Sequence, residues 1–137
     1  MIDKYPKLFS AWSQLWVSNG FEVHILTGQE QDRTEEKVRE FGVVFTHFHS
    51  IVDWHQKLGT HMWMRNDKKG WWMERETWLE TKGGIADGYK LDIHFDDQIE
   101  YAEFFPKSCT FVWVRDNFDA VCNGIFCHIG EKQPCPT

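Results

Sequence analysis

Leu91-Asp92-Ile93-His94-Phe95-Asp96-Asp97-Gln98-Ile99-Glu100-Tyr101-Ala102 is an alternating run that stops on two adjacent carboxylates. Alternation sets Leu91, Ile93 and Phe95 on one face of a strand, and Gln98 to Phe105 reads as a helix directly behind it. Asp96 and Asp97 therefore stand where a strand hands over to a helix. In open α/β sheets that edge is where ligands bind.

Working outward, Tyr5 to Ser18 carries Leu8, Trp12, Leu15 and Trp16 at helical spacing, with Pro6 in the first turn and Asn19-Gly20 as a C-terminal cap. Phe21 to Leu26 reads as a buried strand ending at Thr27-Gly28, where glycine permits a sharp turn. Gln31 to Phe41 reads as a second helix, closed by Gly42, and Gly42 to Phe48 begins another β-rich run. A last strand is expected over Thr110 to Val114. Helices alternating with strands imply parallel crossovers, so the expected fold is α/β, a three-layer α/β/α Rossmann-like parallel sheet. Between the Gly42 to Phe48 run and the acidic pair lies an aromatic stretch, His61 to Glu74, whose Asn66-Asp67-Lys68-Lys69-Gly70 looks like the turn of a small β-hairpin.

The chain's 137 residues, 42% of them hydrophobic, suit a single domain over 1–137. A net charge of −6 argues against a nucleic-acid surface, and the nearest basic cluster is only Arg65, Lys68 and Lys69. No apolar run reaches the roughly 18 residues that span a bilayer, and no charged leader with an apolar core opens the sequence. A soluble, cytoplasmic protein with no membrane partner is expected. Cys109, Cys122, Cys127 and Cys135 form no C-x-x-C pair, so they read as buried or free thiols; Cys127-His128 is the only hint of a zinc cluster. His47 and His49 share a strand face, but no third ligand is evident at a specific spacing.

Gly20-Phe-Glu-Val-His-Ile-Leu-Thr-Gly28 resembles the second motif of the haloacid dehalogenase-like superfamily, a hydrophobic strand ending in Thr or Ser. Ile93-His-Phe-Asp-Asp97 is similar to its fourth motif, an acidic pair that helps hold magnesium. Lys82, 14 residues before Asp96, matches its third, a charge-balancing lysine. The resemblance covers roughly Tyr5 to Val114 and implies a site in which Thr27 and Gly28 orient a phosphoryl group, Lys82 neutralises it, and Asp96 and Asp97 are the Mg2+ ligands. It places the aromatic hairpin, about 61–74, where the superfamily inserts a cap, so that Trp71 and Trp72 would stack on a substrate's flat ring.

The superfamily also requires a D-x-D pair on a first strand, and none precedes the first helix; the only acidic residue there is Asp3. That strand lies centrally in such sheets, so its absence leaves a gap to be closed by neighbouring strands, another segment or a second copy, which raises self-association as an expectation. Each site residue also has a plainer role. Thr27 can end a strand and cap a helix, Lys82 beside two glycines can be a solvated loop residue, Asp97 can be an N-cap, and the hairpin can pack its tryptophans on the sheet. Trp12, Trp16, Trp78 and Trp113 sit at core spacing. Three functions remain open: a degenerate or N-terminally truncated phosphatase-like domain that binds a small phosphorylated molecule without turnover, an active magnesium-dependent phosphohydrolase, and a protein-interaction module.

Overall fold

The computed structural model describes residues 1–65, 70–120 and 122. Helix α1, Pro6–Ser18, ends on Gly20 in the left-handed conformation, φ 83°. Its buried face differs from the expected stripe. Phe9 and Ser13 are buried and Leu15 is 58% exposed, because Ser13 Oγ accepts the Val44 N–H while donating to the Ser10 carbonyl. Ser10 and Gln14 both donate to the Gly42 carbonyl, so one polar row latches α1 to the chain entering the next strand.

Strand β1, His24–Thr27, pairs in parallel with β2, His47–Ser50, across helix α2, Gln31–Glu40. Both strands start later than the alternation suggests: Phe21 is exposed, and ladder pairing begins only at His24 opposite His47. Ser50 caps helix α3, Ile51–Leu58, by accepting the Asp53 N–H, and Asp53 in turn accepts the first N–H of α2, from Gln31. Strands β3, Trp63–Met64, and β4, Trp71–Trp72, form an antiparallel hairpin closed by Arg65 N–H donating to Gly70 O at 2.9 Å. Its expected turn at 66–69 lies outside the described residues.

Helix α4, Arg75–Gly88, runs through Thr81-Lys82-Gly83-Gly84. Lys82 is therefore helical and buried rather than a solvated loop residue. Strand β5, Ile93–Asp96, pairs in parallel with β6, Thr110–Trp113, and the expected helix between them is a 3₁₀ helix, Ile99–Phe104. The class is thus mixed α/β with parallel pairs, and the described strands form three two-stranded sheets. No helix among the described residues is long and apolar enough to cross a membrane.

Phe9, Ile25, Val43 and Val114 form the core cluster, with Trp12, Phe95 and Phe118 packed on it. Phe9 meets Phe95 edge-on at 6.0 Å, so α1 joins the β1–β2 pair to the β5–β6 pair through side chains rather than a hydrogen-bonded ladder. A groove of about 590 Å³ lies between β1 and β5, lined by both strands and floored by Phe9, Ser13 and Trp16 of α1.

Candidate functional site

Asp96 ends β5, where its carboxylate gathers three donors. Lys82 Nζ donates to Oδ2 at 2.7 Å, His94 Nε2 to the same oxygen at 3.0 Å, and the Gln98 N–H to Oδ1 at 3.0 Å. His94 stands two residues before Asp96 on the same strand face, a placement that alternation alone could have revealed. Burial opposes ionisation of Asp96, yet the His94 hydrogen bond, the Lys82 charge and hydrogen bond, and the Gln98 N–H outweigh it and hold the carboxyl well below the usual carboxylate range. His94 is itself pushed down by burial, against the pull of Asp96, so the neutral ring is favoured as the donor.

Packing carries Lys82 to this point. A Cβ on Gly83 would collide with the Phe104 backbone, so only glycine lets α4 approach the 3₁₀ helix so closely. Tyr101 on that helix sits 4.2 Å from the Lys82 ammonium through its ring face, and its hydroxyl accepts the Trp78 Nε1–H at 2.8 Å. On the neighbouring turn Thr81 donates to the Thr77 carbonyl, so its oxygen accepts from His55 Nε2 and ties α4 to α3. Trp72 stacks on Trp78 at 4.8 Å, and Trp78 presses on Gly28, where a Cβ would meet its ring at 2.6 Å. Gly28 thus has a packing reason to be glycine.

The residues singled out in the sequence meet around one cavity of about 810 Å³, whose walls include Thr27, Gly28, Trp71, Trp72, Lys82, Asp96 and Asp97. Thr27 does not cap a helix; its Oγ1 accepts the Gln29 N–H at 3.2 Å, which leaves the hydroxyl proton for another acceptor. Asp97 is not a cap either: Gln98 holds the N-cap position with no side-chain bond, and the Asp97 carboxylate lies 3.7 Å from the Met1 amine. Asp3 is exposed and paired with that same amine at 2.8 Å.

Arg33, Arg65 and Arg75 also line the cavity, and sequence reasoning missed them. They come from three separate parts of the chain, so no local pattern connects them. The lining mixes these guanidinium groups with Glu30, Asp96, Asp97 and Glu100, so it offers cationic forks for ligand oxygens beside carboxylates, and a hydroxyl at a strand end to orient a ligand. Lys82 and His94 occupy Asp96 Oδ2, while Oδ1 accepts one N–H and keeps a lone pair, an oxygen donor of the kind magnesium takes.

Cys109 and Cys122 are buried free thiols, as expected, and burial raises both. Cys127, Cys135 and His128 lie outside the described residues. His47 and His49 do have companions: parallel pairing brings His24 opposite His47, and Glu22 reaches His24 Nε2 at 3.0 Å. The chain matches no known family model, and neither the curated proteins nor the solved structures contain a match to it.

Proposed function

We propose that this chain is a phosphate- and magnesium-binding domain of the haloacid dehalogenase-like kind, holding the anion- and metal-facing half of the site without the nucleophilic aspartate. The observation that carries this reading is the buried Lys82–Asp96 pair at 2.7 Å at the end of a parallel strand, on the same cavity as Thr27 at the end of another. Three arginines and a threonine hydroxyl on the cavity lining favour a phosphorylated small molecule, while Lys82 offsets the charge of Asp96. Magnesium held by Asp96 and Asp97 would screen those carboxylates from the phosphoryl oxygens. The two parallel pairs are then two halves of one three-layer sheet, and the groove between β1 and β5 is the place of the first strand. Half-buried Trp71 and Trp72 on the cavity wall suit a ligand with a flat ring, the role of a cap hairpin.

Calorimetric titration of inorganic phosphate into the chain, with and without Mg2+, tests the reading. Binding should need Mg2+ and weaken on the order of tenfold in Thr27→Val and in Asp97→Asn, consistent with one lost hydrogen bond or ligand each. A generic phosphate ester should be bound without release above background. Metal-dependent release abolished by Asp96→Asn would instead favour an active phosphohydrolase. Absence of phosphate binding at any Mg2+ concentration would sink both readings.

A further inference from the structure

The start of the β1–β2 pair carries a cluster unrelated to the cavity at its end. His24 opens β1 opposite His47, which opens β2, while Leu26 lies opposite His49. Since alternate residues share a face and directly opposed residues do too, His24, His47 and His49 project on the same side. Three residue steps, about 10 Å of strand, separate His24 from Thr27. The His24 and His47 rings stack at 4.1 Å with their planes 1° apart. Glu22, His24 and His47 each present one ligand atom, all within 4.8 Å of one another.

We infer that Glu22, His24 and His47 form a binding site for a divalent transition-metal ion of the zinc class. Two imidazoles and one carboxylate are the donors that zinc, cobalt and nickel take, whereas magnesium prefers oxygen throughout. Three protein ligands leave a further position for water or a ligand. Tetrahedral bonds of about 2.0–2.1 Å need donor atoms about 3.3 Å apart. His24 Nε2 and Glu22 Oε2 are already 3.0 Å apart, and Glu22, whose side chain is 63% exposed, is free to adjust. Binding requires the parallel His24 and His47 rings to tilt so that their in-plane lone pairs converge on one ion.

The surrounding hydrogen bonds prepare the lone pairs. The Thr46 hydroxyl donates its proton to the Val23 carbonyl and accepts the Val23 N–H, so toward His47 it acts as acceptor and takes the Nδ1–H at 2.9 Å. That tautomer leaves the lone pair of His47 on Nε2. On His24, Nε2 faces Glu22 while Nδ1 lies 2.9 Å from His49 Nε2, so a metal on Nε2 lets Nδ1–H donate to His49, the outer bond that fixes a ligating imidazole. Tyr89 packs on His24 at 5.2 Å and on His49 at 4.7 Å, closing the floor beneath a side chain that is 3% exposed. The Glu22 side is open.

Titration of the full chain with Zn2+ by calorimetry, and with Co2+ by visible absorption, tests the site. The expected result is one ion per chain, cobalt d–d bands of a nitrogen and oxygen site without thiolate charge transfer, and affinity reduced on the order of 100-fold in His47→Ala and about tenfold in Glu22→Gln. A Cys122→Ser/Cys127→Ser/Cys135→Ser variant should bind as the parent does. Circular dichroism checks that each variant folds, and should His47→Ala fail to do so, Glu22→Gln at its exposed position decides. No stoichiometric binding, a sulfur charge-transfer band, or an affinity unchanged in Glu22→Gln would overturn the assignment.

Discussion

Lys82 and Asp96 set opposite charges 2.7 Å apart in surroundings that leave their side chains 10% and 6% exposed. Removing one partner strands the other without water, so Lys82→Met and Asp96→Leu should each destabilise the fold by about 3–5 kcal/mol. Combining them removes both charges, and the double variant should cost less than either single change. Chemical denaturation checks this, and a double variant as unstable as the sum of the singles would show that the pair is not coupled. Tyr101 offers a test by pH. Burial, aided by the nearby carboxylates and only partly offset by the Trp78 hydrogen bond, raises its hydroxyl from 10.0 to about 12. A folded value above the unfolded one favours the neutral phenol in the native state. Its stability is complete below pH 10 and is lost as the pH rises from 10 toward 12. Tyrosinate absorbance should show a late-titrating step that is lost in Tyr101→Phe.

At the scale of elements, α4 shows packing overriding propensity. Two consecutive glycines cost about 1 kcal/mol each in a helix interior, which is why Thr81 to Gly84 reads as a loop in the sequence. Gly83 is helical because only a missing side chain admits the Phe104 backbone, and Gly84 faces open space. Gly83→Ala should therefore destabilise by about 1–3 kcal/mol or more, whereas Gly84→Ala should stabilise by about 0.5–1 kcal/mol. Thermal melts of the two variants moving in the same direction would refute this account of α4. The same packing explains Lys82. Its residue type and spacing from Asp96 are visible in the sequence, but its burial follows from a helix–helix approach that no local pattern encodes. Strand ends behave alike: the Phe21 to Leu26 run is apolar enough to be a strand, yet pairing starts at His24, because partners rather than hydrophobicity define a ladder.

Across the molecule, α1 joins two parallel pairs that no ladder connects among the described residues. Phe9 is the centre of that junction, against Trp12, Phe95 and Phe118. Phe9→Ala should cost about 3–5 kcal/mol and should weaken both halves together, so near-ultraviolet and far-ultraviolet circular dichroism should lose signal in one transition. Two separated transitions in the parent chain would show instead that the halves fold independently. The sequence by itself determined the alternation of helices and strands, the glycine stops after α1 and α2, and the acidic end of β5, because each depends on the local period of apolar residues and on backbone freedom at single positions. A resemblance in three short motifs, rather than periodicity, grouped Thr27, Lys82, Asp96 and Asp97 as candidates. Only the tertiary structure decided which residues join them, bringing Arg33, Arg65 and Arg75 to one cavity and His24 and Glu22 to His47. Those groupings depend on strand register and helix contact, which join residues far apart in the chain, and local periodicity carries no record of either.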